Sequence, residues 1–146
     1  MNRYVWILLG IILVSMKTDT DKTKMICAKW VQFAFKQYDQ NTPAPTAKAS
    51  ALTYILKEDK TYEELQYNGM LKIAGKWKFA EDQKKLLFIV TNVNGQTQTE
   101  FEGKPTTIIL KLTPDTLIIG EEEYLTKAGS KEQLFIHNDQ YFVKAK

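Results

Sequence analysis

Between residues 71 and 79 the chain alternates strictly: Leu71, Ile73, Gly75, Trp77 and Phe79 are separated by Lys72, Ala74, Lys76 and Lys78. Side chains on a strand leave it on opposite faces with a period of two, so this segment predicts a strand with one apolar face and one lysine-bearing face. Gly75 inside it predicts a bend or bulge. Other short apolar runs, each bounded by turn residues, continue the pattern of an antiparallel β protein. Leu52 to Leu56 breaks at Glu58-Asp59-Lys60 and resumes as Thr61 to Tyr67, a hairpin. Asn68-Gly69 follows as a turn, because both residue types tolerate positive φ. Glu81-Asp82-Gln83 leads into Leu86 to Thr91, which Asn94-Gly95 closes. Thr106 to Leu112 and Thr116 to Ile119 read as a hairpin around Thr113-Pro114-Asp115, whose proline suits a turn and not a strand interior. Gln133 to His137 and Tyr141 to Lys144 form a last pair around Asn138-Asp139-Gln140, for a total of eight or nine strands.

The segment Met25 to Tyr38 fits two periods. As a strand it puts Val31, Phe33 and Phe35 on one face; as a helix it aligns Ile26, Trp30, Phe33 and Gln37. A strand from about Lys29 is the favoured reading. Pro43-Ala44-Pro45 then reads as a loop, and no internal repeat is visible. Many antiparallel strands without a crossover helix need two packed sheets or one sheet closed on itself, since open edges invite aggregation. Successive hairpins favour the closed form, an all-β, antiparallel up-and-down barrel of about eight strands, with a β-sandwich as the alternative.

The amino terminus follows a different pattern. After Arg3 and Tyr4, Val5 to Val14 carries no polar side chain, and Ser15, Met16 and Lys17 end the run. A basic residue followed by an apolar run well short of the roughly 20 residues that cross a bilayer predicts a secretory signal. No clean cleavage pattern follows it, so an uncleaved anchor is the alternative. The expected organisation is a signal peptide or anchor over 1–16, a polar lead-in over 17–27 and a barrel domain over 28–146, in an exported protein of the periplasm, envelope or exterior. Cys27 lies too far beyond the apolar run to be a lipoprotein cysteine. Being the single cysteine, it also excludes an internal disulfide framework.

A chain of 146 residues with 44% hydrophobic and 25% charged residues can bury one core and is expected to form one domain. Its net charge of +3 is spread as lysines among glutamates, not gathered into the basic stripe that a nucleic-acid partner requires. Membrane contact is expected only through the amino-terminal segment.

Chemistry is mostly excluded by counting. His137 is the single histidine and no nucleophile motif accompanies it; no multi-histidine metal site and no phosphate-binding glycine loop is possible or present. Glu121-Glu122-Glu123 lacks the spacing of a calcium loop and reads as a solvated acidic turn. Glu63-Glu64 and Glu81-Asp82 are adjacent pairs, which on a strand point to opposite faces and form no acid and base couple. The expectation is a non-enzyme with no catalytic residue, no metal and no cofactor. What remains is an aromatic set, Trp30, Phe33, Phe35, Tyr54, Tyr67, Trp77, Phe79 and Phe88, of which Trp77, Phe79, Tyr54, Trp30 and Phe88 are the candidate ligand-binding residues. Inward-facing aromatic rings floor a ligand cavity or simply pack a core by the same physics.

Several stretches carry a resemblance. Lys29-Trp30 at the first strand, Glu58-Asp59-Lys60-Thr61-Tyr62-Glu63, Gly75-Lys76-Trp77-Lys78-Phe79 followed by Asp82 and Lys85-Leu86, and Ile109 to Leu117 are similar to small, exported, lipocalin-like β-barrel proteins of Bacteroidetes-type bacteria. The likeness spans Lys29 to Ile119. Lys60 departs from it, standing where the family's hairpin has a glycine, and the glycine and tryptophan signature of animal lipocalins is absent around Trp30. The resemblance implies a barrel holding a small hydrophobic or amphipathic ligand. The competing reading is a filled barrel whose outer face recognises a protein or an envelope polymer.

Overall fold

A computed structural model describes residues 21–39, 42–43, 47–48, 51–101, 107–126, 129 and 133–146. The expected leader over 1–16, Pro45 and Thr106 lie outside them. The strands are β1 (Lys29–Asp39), β2 (Thr42–Pro43), β3 (Ala47–Lys48), β4 (Thr53–Leu56), β5 (Thr61–Gln66), β6 (Leu71–Ala80), β7 (Lys85–Val93), β8 (Gln96–Phe101), β9 (Thr107–Leu112), β10 (Thr116–Thr126) and β11 (Gln133–Lys144). Pairing runs β1-β4-β5-β6-β7-β9-β10-β11, and β11 returns to β1 from Trp30↔Lys144 to Asp39↔Ile136. The fold is a closed, antiparallel, eight-strand barrel in which sequence neighbours are sheet neighbours. β2 and β3 pair with β1 beyond β4, and β8 is a further strand on β7.

Local chemistry accounts for the turns. Asn94 (φ 49°) and Gly95 (φ 84°) form the two-residue link from β7 to β8, the positive-φ pair that matches the twist of a tight hairpin. Lys60, where the resemblance expects glycine, adopts φ 66°, so the left-handed turn is kept without the glycine. The Asp59 carboxylate fastens that turn, accepting the Thr61 backbone N–H at 2.9 Å. Gly75 sits at the expected bulge, where the β6–β7 register shifts between Ala74 and Gly75. A Cβ there would stand 1.9 Å from the Ile89 carbonyl oxygen, so the two backbones approach this closely only because residue 75 has no side chain.

Three expectations are corrected. Asn138-Asp139-Gln140 is not a turn: β11 runs unbroken through it, because each of the three residues pairs on both sides, with β10 and with β1. Glu121-Glu122-Glu123 is likewise strand, inside β10. Among them, Glu121 accepts from Gln140 and Asp139 accepts from Tyr38, so these side chains find hydrogen-bond partners within the strands. Val31, Phe33 and Phe35 do not share a face either, since the β1–β11 register shifts between Gln32 and Ala34 and leaves Phe33 exposed against Tyr141. β8, a polar run of Gln, Thr and Glu, has no apolar alternation to announce it.

The core joins Ile26, Trp30, Tyr54, Leu56, Tyr62, Trp77, Leu86, Leu117, Ile119 and Phe142. Ile26 lies within the stretch read as a polar lead-in. Residues 21–26 are helical and bring it, fully buried, against the barrel end that also holds Trp30 and Trp77. No helix among the described residues is long and apolar enough to cross a membrane.

Candidate functional site

The five candidate aromatics converge inside the barrel. Trp30 pairs with Tyr54 across β1 and β4, and Trp77 with Phe88 across β6 and β7. Tyr54 stacks on Phe88 (centroids 5.4 Å apart, planes 7° from parallel), and Trp77 meets Phe79 edge-on at 5.4 Å. Their surroundings divide them into two groups.

Trp30 and Trp77 belong to a dry end. They are 0% and 1% exposed, and each indole N–H donates to a backbone carbonyl, Trp30 to Ile26 at 2.8 Å and Trp77 to Lys57 at 3.0 Å. With their polar atoms satisfied and their faces covered, these rings pack. The Lys60 ammonium lies 4.1 Å from the centre of the Trp77 ring and Lys22 reaches over Phe79, so the helix and the β4–β5 turn cover this end. Cys27 packs here as well, and burial pushes its thiol up, which disfavours the thiolate.

Toward the β5–β6 turn the inward positions become polar. Opposite Tyr54 stands Glu64 on β5, and the same face carries Tyr62 and Gln66. Across the barrel, Gln32 donates to the Gln140 amide oxygen at 2.9 Å, and Gln140 donates to Glu121 at 2.6 Å. Gln66 donates to Glu64. Desolvation pushes the Glu64 carboxyl above its usual range, and the Gln66 amide only partly offsets this. Burial raises the Tyr62 phenol to about 12, and burial also pushes the Tyr54 phenol up, with the negative charges of Glu64 and Glu121 acting in the same direction. Phe88, Glu64, Gln66, Gln32 and Glu121 all keep partial exposure, unlike the rings at the dry end.

Sequence reading did not single out Glu64, Gln66, Gln32, Gln140 or Glu121. For Glu64 the signal was present: a period of two from Tyr62 places Glu64 and Gln66 on the face that Tyr54 completes. Glu63, its neighbour, points outward as alternation requires, between Lys57 (3.0 Å) and Lys72 (2.7 Å). Hydrogen bonds from those ammonium groups hold its carboxyl below the usual range.

Two clefts open on the outside of the barrel. A groove of about 440 Å³ lies on the outside of β5, β6 and β7 around Glu63, Lys72, Gly75 and Asn92. A cleft of about 230 Å³ holds Tyr38, Glu122, Phe135 and His137. There His137 Nε2 is 2.7 Å from Asp139, its Nδ1 is 3.9 Å from Glu122, and the Tyr38 hydroxyl donates to Asp139 at 3.1 Å. The two carboxylates engage opposite ring nitrogens, so they do not converge on one point, and no cluster among the described residues has the arrangement of a metal site. Compared with known proteins, the chain matches no family model, no curated protein and no solved structure.

Proposed function

We propose that this chain is an exported, non-enzymatic, lipocalin-like barrel that binds a small hydrophobic or amphipathic molecule inside, between the aromatic stack and the polar lining. One observation carries the reading. Along the barrel axis the inward side chains pass from fully buried and apolar at Trp30 and Trp77 to partly exposed and polar at Glu64, Gln66 and Gln32. A barrel meant only as a core has no reason to turn carboxylates and amides inward, since each costs desolvation, whereas a binding site combines an apolar floor with a few placed polar groups. The apolar run Val5 to Val14 supports export.

The test is fluorescence titration of the purified protein with the neutral apolar probe N-phenyl-1-naphthylamine. Saturable binding that is weakened by Tyr54→Trp, which fills the interior, is expected; absence of saturable binding would overturn the proposal. For export, amino-terminal sequencing of the protein recovered from the envelope and soluble fractions is the check, and recovery solely from cytoplasm would refute it.

A second reading, an interaction module, is favoured by the outer face of β1, β11, β10 and β9, where Phe33, Val143 and Leu110 are 49%, 43% and 48% exposed. If that face is an interface, Phe33→Glu changes the protein's sedimentation without changing probe binding.

A further inference from the structure

We infer that the polar half of the interior holds the cationic head of an organic amine or quaternary ammonium ligand, with Glu64 as its counter-ion and the Tyr54 and Phe88 rings against its apolar body. The inference rests on the ligand-binding reading above and names the ligand's chemistry.

The first support is charge. Glu64 faces inward, and among the described residues its partner is a neutral amide, Gln66. The groups that act on it are burial and that amide, with no cation among them. Lys57 and Lys72 are both engaged with Glu63, which points to the opposite face. The lysines of β6 also leave on the outer side, at positions alternate to Trp77. Glu121 adds a second carboxylate to the same interior, already tied to Gln140, and its field reaches Tyr54. Glu64, partly buried and met only by a neutral amide, is complementary to a positive guest, because a partly buried carboxylate without a counter-charge is costly to maintain.

The second support is Tyr54. Its ring is 5% exposed, no hydrogen bond to its hydroxyl is formed among the described residues, and the charges that act on that hydroxyl are those of Glu64 and Glu121. Tyr54 stands opposite Glu64 across β4 and β5, so its phenol oxygen is placed to accept an N–H from an ammonium that Glu64 neutralises. The third support is the stack itself: Tyr54 and Phe88 lie 7° from parallel, and Tyr62 and Phe142 approach at 4.8 Å from Phe88 and 5.5 Å from Tyr54. Such faces attract cations and the polarised methylenes beside an ammonium. A bare metal ion fits poorly, since the described carboxylates form no ligating cluster.

Isothermal titration with four probes sharing one dodecyl chain separates the possibilities: dodecyltrimethylammonium, dodecylamine, dodecanol and dodecanoate. The two cationic probes are expected to bind at least about tenfold more tightly than dodecanoate, a difference of about 1.4 kcal/mol. Glu64→Gln, which keeps size and the amide contact, is expected to remove most of that preference, with dodecanol changing far less than the two cations. Tyr54→Phe is expected to weaken dodecylamine about threefold and dodecyltrimethylammonium, which has no N–H to give the phenol oxygen, by less. Equal or tighter binding of dodecanoate, or a preference that survives Glu64→Gln, overturns this inference and leaves the ligand-binding reading standing. Failure of all four probes to bind overturns the ligand-binding reading itself, and this inference with it.

Discussion

Glu63 and Glu64 are neighbours in sequence and opposites in physics. Glu63 stands in water between two lysines, and its ionised form is favoured; Glu64 turns into the barrel, meets one amide, and its ionised form is opposed by burial. The same contrast separates the two ends of the barrel. At the dry end every indole N–H is matched to a carbonyl and each ring is covered, whereas the polar half keeps carboxylates and amides partly accessible. Stability is therefore concentrated at one end, while at the other buried charge opposes stability, a cost that the proposed function assigns to the ligand it would attract.

The contrast is most easily broken at the dry end. Trp77→Ala is expected to lower unfolding free energy by about 3–5 kcal/mol, the usual cost of removing a large buried ring, as read by guanidinium denaturation. The surviving folded fraction should keep its ligand selectivity. Gly75→Ala is the next test. With the Ile89 carbonyl 1.9 Å from the new Cβ, β6 and β7 must separate locally, and a loss of about 1–3 kcal/mol is expected, with amide exchange accelerated around Ile89 and not at β10.

Substitutions of the two glutamates sharpen the comparison through pH. Folding raises the pKa of Glu64, so the folded state holds that proton more tightly, and stability falls as pH rises from the ordinary carboxylate range through the raised folded value. Glu64→Gln should therefore match the parent in acid and exceed it at neutral pH, by on the order of 1 kcal/mol. Glu63 has the opposite sign. Its lowered pKa contributes stability at neutral pH that is lost as pH falls through the folded value, so Glu63→Gln is less stable at neutral pH and equal in acid. Because these ion pairs are exposed, that effect is the smallest, about 0.2–1 kcal/mol, and should shrink with added salt. Thermal unfolding of both variants from pH 3 to pH 8 checks both signs.

Much of the barrel was legible because its strands have one wet face. Leu71 to Phe79, the Glu58 to Lys60 turn and Asn94-Gly95 declare period and reversal locally. Gln133 to Lys144 misled for the same reason: Asn138-Asp139-Gln140 has turn composition, but β1 and β10 on either side supply backbone partners that no local pattern reveals. The aromatic half of the site was readable from residue type. Its polar half was not, since Gln32 on β1 meets Gln140 on β11 only when the sheet closes, and Glu121 reaches Gln140 across the β10–β11 pair whose Asn138-Asp139-Gln140 stretch has turn composition.

That closure has a temporal side. The seam joins the first long strand to the last, from Trp30 against Lys144 to Asp39 against Ile136. The barrel cannot shut until nearly the whole chain has been made, and the long loop that must be closed first makes folding slow compared with its hairpins. A chain under synthesis thus stays open and threadable up to its final strand, a condition suited to passage through a narrow channel before folding. It also places the two ends of the domain side by side, so that a version reopened at Asn94-Gly95 and joined through residues 29 and 144 should fold to the same barrel, and faster if the seam is what limits the rate.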